Sequence, residues 1–144
     1  MKVNTILIII LLIAASACSK DGQAQQLNVD KAYGLVTVSV CNIRSSPGHR
    51  EELVTQALMG TPLRMLDNEA GWLLVQTPDM YEGWVDKPAV HTLFEEEFTE
   101  WKKSDRIIYT DKTGEVYDDT ISKASISDIV AGSIAALEGS YGEM

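Results

Sequence analysis

C-N-I-R-S-S-P at 41–47, Q-A-L-M-G-T-P-L-R-M-L at 56–66, G-W-L-L-V-Q-T at 71–77 and Y-E-G-W-V at 81–85 together decide how this chain is read. Gly71-Trp72 and Gly83-Trp84 lie twelve residues apart, each opening a short apolar run. That interval suits two neighbouring strands joined by a hairpin within a small all-β barrel.

The flanking residues extend the pattern. Y-G-L-V-T-V-S-V at 33–40 alternates β-branched residues and predicts one strand. Asn42 to Gly48 reads as a polar turn region closed by Pro47-Gly48. Strands are expected over 53–57, 63–66 and 72–77, with a turn at 59–62, a tight loop at 67–71 and a last strand from Gly83. Five or six short strands with Gly and Pro punctuation make a small barrel or sandwich.

E-E-E-F-T-E-W-K-K-S at 95–104 predicts a short helix, its acidic start and basic end both matched to the helix dipole. Phe94, Phe98 and Trp101 recur at spacings of four and three, giving an apolar face expected to pack on the barrel. Beyond Arg106 strand-like runs return at 107–109 and 114–117. A shift of 72 residues lays Leu58-Met59-Gly60 on Val130-Ala131-Gly132, which suggests that a second, partial unit begins there. The competing reading is an irregular cap on the first module, ending in an Ala- and Ile-rich helix.

The N-terminus reads as an export signal. Lys2, an apolar run from Ile6 to Ile13 and small residues before Cys18 give it the order of a secretory leader over 1–17. The run falls short of the roughly 20 apolar residues of a membrane-spanning helix. Cys18, preceded by small residues, resembles the lipidated cysteine of a bacterial lipoprotein, and residues 18–32 would form a polar tether. An ordinary peptidase cut before Cys18 is the other outcome.

The 144 residues carry a formal charge of −9, which argues against nucleic acid or an anionic membrane surface as partner. Cys18 and Cys41 are the two cysteines, so a disulfide framework is not expected once Cys18 is lipidated. His49 and His91 are the two histidines, and no C-x-x-C, H-E-x-x-H or G-x-S-x-G spacing occurs. No metal site, no cofactor and no catalytic residue is expected, and Cys41 reads as a small buried hydrophobe. Trp72, Tyr81 and Trp84 are better candidates, since such rings offer apolar area with a polar handle, while Trp84 reads equally well as a core residue. Arg44 would meet a ligand carboxylate, or pair within the fold with Asp86 or Glu52. Glu52 is free to meet an ammonium group.

On these blocks, with E-L-V-T-Q-A-L-M-G-T-P at 52–62 and G-W-L-L-V-Q-T-P-D at 71–79, the chain resembles the N-terminal SH3b region of NlpC/P60 cell-wall endopeptidases. These include dipeptidyl-peptidase VI-like enzymes, which cut γ-D-glutamyl–diamino-acid bonds in peptidoglycan stem peptides. The resemblance implies a mainly β fold: an SH3-like (SH3b) barrel at 33–92, a helical linker at 93–105 and the beginning of a second SH3b unit at 106–144. It also implies that Glu52 and Tyr81 line the pocket for the free N-terminal L-alanine of the stem peptide. Arg44 and Trp84 are expected beside them as further binding residues. The D-C-S-G nucleophile segment of that family does not occur in these residues.

The expected function is an exported, lipid-anchored SH3b module that binds or positions peptidoglycan peptides. The expected partners are that peptide or a cell-wall peptidase domain, and the expected location is the periplasm, outer membrane or cell surface. The alternatives are the substrate-restricting N-terminal portion of an NlpC/P60 γ-D-glutamyl-L-diamino acid endopeptidase, or an envelope protein-interaction module.

Overall fold

The computed structural model describes residues 32–118, 121 and 124–137. The leader, Cys18 and nearly all of the tether lie outside them. Eleven strands and one helix follow in order: β1 (Tyr33–Val36), β2 (Val40–Arg44), β3 (Leu53–Leu58), β4 (Pro62–Glu69), β5 (Trp72–Gln76), β6 (Glu82–Asp86), β7 (Val90–Leu93), α1 (Glu95–Lys103), β8 (Arg106–Ile108), β9 (Thr113–Tyr117), β10 (Ser125–Val130) and β11 (Ile134–Ala136).

β1 to β7 form one antiparallel sheet in the order β3-β2-β6-β5-β4-β1-β7. It curls around a single core built from Val36, Ile43, Leu63, Val75 and Val85, each at most 2% exposed, with Cys41, Ala57, Met65, Leu73 and Val90 packed around them. Alternation explains the choice: Cys41 and Ile43 point inward while Asn42 stays exposed, and Leu73 and Val75 point inward between half-buried neighbours.

The sheet is not the closed barrel expected from the sequence. β3 and β7 end it, and neither pairs with the other. β3 diverges from β4, which already has β1 and β5 on its two sides, at the corner that joins them. There Gly60 N–H donates to the Val36 carbonyl (2.8 Å), Val36 N–H to Thr61 (3.1 Å) and Met59 N–H to Ser39 (3.2 Å). The corner is thus tied to the β1–β2 bend, and β3 and β4 leave it unpaired with each other.

Several boundaries also differ. The run 33–40 breaks after Val36, and the segment read as a polar turn from Asn42 is strand as far as Arg44. β4 continues through Asp67–Glu69, the expected tight loop, and turns only at Ala70-Gly71, both at positive φ as a two-residue hairpin requires. β7 was expected only as a link; a 3-10 turn at Lys87–Ala89 sets it against β1.

α1 forms where its sequence predicts. Glu97 accepts the Phe94 N–H at 2.7 Å, half of a capping box. Phe98 stacks on Tyr33 of β1 at 4.1 Å and 14°, so the apolar face does pack on the sheet.

β9 pairs with β10 and β8 with β11 as separate two-stranded sheets. The Ala- and Ile-rich end is therefore strand, not helix, over its described residues. Ile107, Ile108 and Ile126 are more than half exposed, and this region's buried residue among those described is Ser133. It meets the first sheet through a backbone bond from Ile134 N–H to the Met59 carbonyl, 2.9 Å, with Ile134 close against Gly60 and Gly132 close to Leu58.

Candidate functional site

β5 and β6 pair with Leu74 opposite Trp84 and Gln76 opposite Glu82, so the two Gly-Trp strands are neighbours, as their spacing predicts. β2 lies on the other side of β6, with Arg44 opposite Trp84. Gly83 makes that approach possible: a Cβ there would stand 2.7 Å from both the Arg44 carbonyl oxygen and Ile43 Cγ2. Gly83 and Val85 face the core, which leaves Glu82, Trp84 and Asp86 on the outer face. Trp84 is half-buried there, across from Arg44 and outside the core.

Following β2 past Arg44 and β6 back past Trp84 leads to one end of the sheet. Ser45 N–H there donates to the Glu52 carbonyl at 2.9 Å, while Tyr81 precedes β6. The fold thus brings Glu52 and Tyr81 to the same sheet end, both exposed, with Arg44 and Trp84 in the next row.

Arg44 and Tyr81 are each held by a partner that the sequence reading did not single out. Arg44 pairs with neither Asp86 nor Glu52 as expected; its Nη1 donates to the Glu51 carbonyl at 2.7 Å. Ser46 Oγ adds a bond to Glu51 Oε2 at 2.9 Å, so the 45–52 loop is tied down beside Glu52. Thr77, 5% exposed, accepts the Tyr81 N–H at 3.1 Å and donates its hydroxyl to the Tyr81 carbonyl at 3.3 Å. Met80 N–H closes the same turn on the Thr77 carbonyl, at a φ of 69°. The T-P-D segment carried the signal, because a threonine hydroxyl mimics a backbone turn acceptor.

Neither Cys41 nor the histidines form a reactive set. Cys41 is 3% exposed. Burial, and secondarily the negative charge of Asp86, pushes its thiol up to about 11. A nucleophilic cysteine needs the opposite shift. His49 stands 3.9 Å from Asp86 and 4.9 Å from the Trp72 ring, and His91 lies apart on β7. Among the described residues no three His, Cys, Asp or Glu side chains gather as a metal site. No helix among them is long and apolar enough to cross a membrane.

The arrangement gathers a carboxylate, a phenol, a guanidinium and an indole at one sheet end. Residues 43–90 match the family model of the bacterial dipeptidyl-peptidase Sh3 domain. Among solved structures, an NlpC/P60 endopeptidase from Photobacterium damselae subsp. piscicida superposes with a TM-score of 0.59 at 18% identity, over 75% of this chain and 27% of that one. An NlpC/P60 family protein from Bacillus cereus ATCC 10987 gives 0.59 at 17% identity, over 76% of this chain and 48% of its own. The chain thus spans less than half of either protein, and at these identities the likeness is one of fold. No curated protein matches it. The fold and the matched stretch together show that the chain carries an SH3b-like domain, similar to the Sh3 domain of bacterial dipeptidyl-peptidases.

Proposed function

We propose that this domain is the substrate-restricting, non-catalytic portion of an NlpC/P60-type endopeptidase, framing a peptidoglycan stem peptide for a separate catalytic domain. The observation that carries the reading is the match of residues 43–90 to a domain described from dipeptidyl-peptidases. The shared fold with two NlpC/P60 proteins supports it.

In this reading the Glu52 carboxylate receives the free ammonium group of the stem peptide, and the Tyr81 hydroxyl hydrogen-bonds beside it. Trp84 and Arg44 flank the bound peptide. A site of this kind distinguishes a free N-terminus from a blocked one, since an acetylated amine carries no positive charge for the Glu52 carboxylate to pair with. The substrate places the protein outside the cytoplasm, consistent with a leader at 1–17 and an anchor at Cys18.

The test is a titration of the full chain with a stem tripeptide, followed by the amide resonances of Glu52 and Tyr81. A saturable shift is expected with the free N-terminus and not with the acetylated peptide, and Glu52→Gln should remove the difference. Equal responses to both peptides would overturn the assignment.

A further inference from the structure

Trp72 belongs to no site described so far. It lies on the outer sheet face one row from Trp84, opposite Asp86 on β6. The register that sets Arg44 opposite Trp84 brings Asn42 across from Asp86, two residues along each strand. Asn42, Asp86 and Trp72 therefore share one row, with Arg44 beside them. Together they line a notch of about 180 Å³ with His49 at its rim.

The chemistry of this notch is mixed by design of the strand pairing. Asp86 offers carboxylate oxygens. Asn42 accepts from Gln56 Nε2 through Oδ1 at 2.9 Å, which leaves its own amide hydrogens to donate. Arg44 has one nitrogen on the Glu51 carbonyl and lines the notch. Trp72 supplies a flat apolar wall. His49 leans on that indole, 4.9 Å away and tilted 59°, and its largely exposed side chain must swing aside for a ring to lie there.

We infer that this notch is a saccharide subsite, in which one pyranose ring lies against the Trp72 indole and its hydroxyl groups bond to Asp86, Asn42 and Arg44. A sugar ring needs this combination: an apolar C–H face for an aromatic ring, and hydroxyl groups that both donate and accept in the ring plane. Asp86 accepts from the hydroxyls while Asn42 and Arg44 donate to them. The notch is smaller than the roughly 300–1,000 Å³ of pockets that enclose whole ligands. It therefore seats a single ring of an oligosaccharide, with the neighbouring units outside. The charge of −9 disfavours polyanionic chains, so the occupant is a neutral glycan.

The probes are an N-acetylglucosamine tetramer and cellotetraose, added to the full chain while the Trp72 indole N–H resonance is followed. A saturable shift with either sugar is expected; a response to the first alone assigns the subsite to N-acetylated glycans. Trp72→Ala and Asp86→Asn should each weaken binding about tenfold or more, as loss of a central anchor does. Asp86→Asn keeps the strand intact if the tryptophan variant fails to fold. Tyr81→Ala should leave sugar binding unchanged, which separates this subsite from the peptide end. No saturable shift with either sugar would overturn the proposal. So would a shift that survives Asp86→Asn undiminished, or one elicited by dialanine in place of sugar.

Discussion

Gly83 faces the carbonyl oxygen of Arg44 so closely that a side chain on it has no room, and this contact locks β6 to β2. Replacing Gly83 by alanine should force the two strands apart. The expected cost is about 1–3 kcal/mol, typical of overpacking a tight core, and is checked by urea unfolding. Because Arg44 is the partner strand's residue, the same variant should loosen the Glu52 loop and weaken peptide binding.

Thr77 uses one hydroxyl both to accept from and to donate to Tyr81. Thr77→Val leaves the Tyr81 N–H without that acceptor, at a cost of about 1–3 kcal/mol for a partly buried group. Thr77→Ser should retain most of the stability. Amide exchange at Tyr81 should accelerate in the valine variant and stay near wild type in the serine variant.

Cys41 gives the domain a dependence on alkaline pH. Its thiol titrates at about 11 in the folded chain against 9.0 when unperturbed, so the folded state holds the proton more tightly. A proton held more tightly in the folded state favours folding only while the unfolded thiol loses no proton to solvent. Stability is therefore complete below pH 9 and declines as pH rises from about 9 to about 11. Cys41→Ala should remove this part of the decline, measured as the difference between the two pH profiles. In the native protein at neutral pH the thiol should resist alkylation, and react once the chain is unfolded.

Phe98 is expected to hold α1 to the sheet through its stack on Tyr33. A double-mutant cycle with Tyr33→Leu and Phe98→Leu should return a coupling of about 0.5–1.5 kcal/mol, the usual range for an aromatic pair. A coupling near zero would mean that the helix is held by its remaining contacts.

The linker after α1 should be the first place a protease cuts. Residues 106–137 expose Ile107, Ile108 and Ile126, and Ser133 is their one buried residue among those described. Limited proteolysis should leave 33–104 intact and cleave beyond it. Gly60→Ala should speed that cleavage, since a Cβ at Gly60 would overlap the Ile134 carbonyl. Equal protection across the whole chain would show that the two parts open together.

How much of this was legible depended on where each signal lies. Trp72 and Trp84 announced two paired strands because apolar runs and glycines fall at strand spacing along the chain. Glu52 and Tyr81 stood out singly by residue type, but only the resemblance joined them in one pocket, since 29 positions separate them and the sheet register alone brings them to one end. Asp67 to Glu69 looked like a loop because an exposed hairpin arm has no buried partner to mark its period. Val90–Leu93 was missed because four residues after Pro88 are too few to show alternation. The Arg44 and Thr77 clamps end on main-chain carbonyls, and a carbonyl leaves no trace in the residue letters.

The unpaired flank of β3 gives the sheet a direction of growth. β7, at the opposite end, lies beside α1, whereas β3 has no strand partner beyond β2. Its L-V-T-Q-A-L run contains neither proline nor lysine, and Leu53 and Val54 are exposed. Edge strands in soluble proteins are commonly blunted by such residues. The β3 flank is thus an open route for main-chain association with a neighbouring segment or a misfolded copy. Concentrated preparations should be guarded there first, by a lysine at Val54 or Gln56.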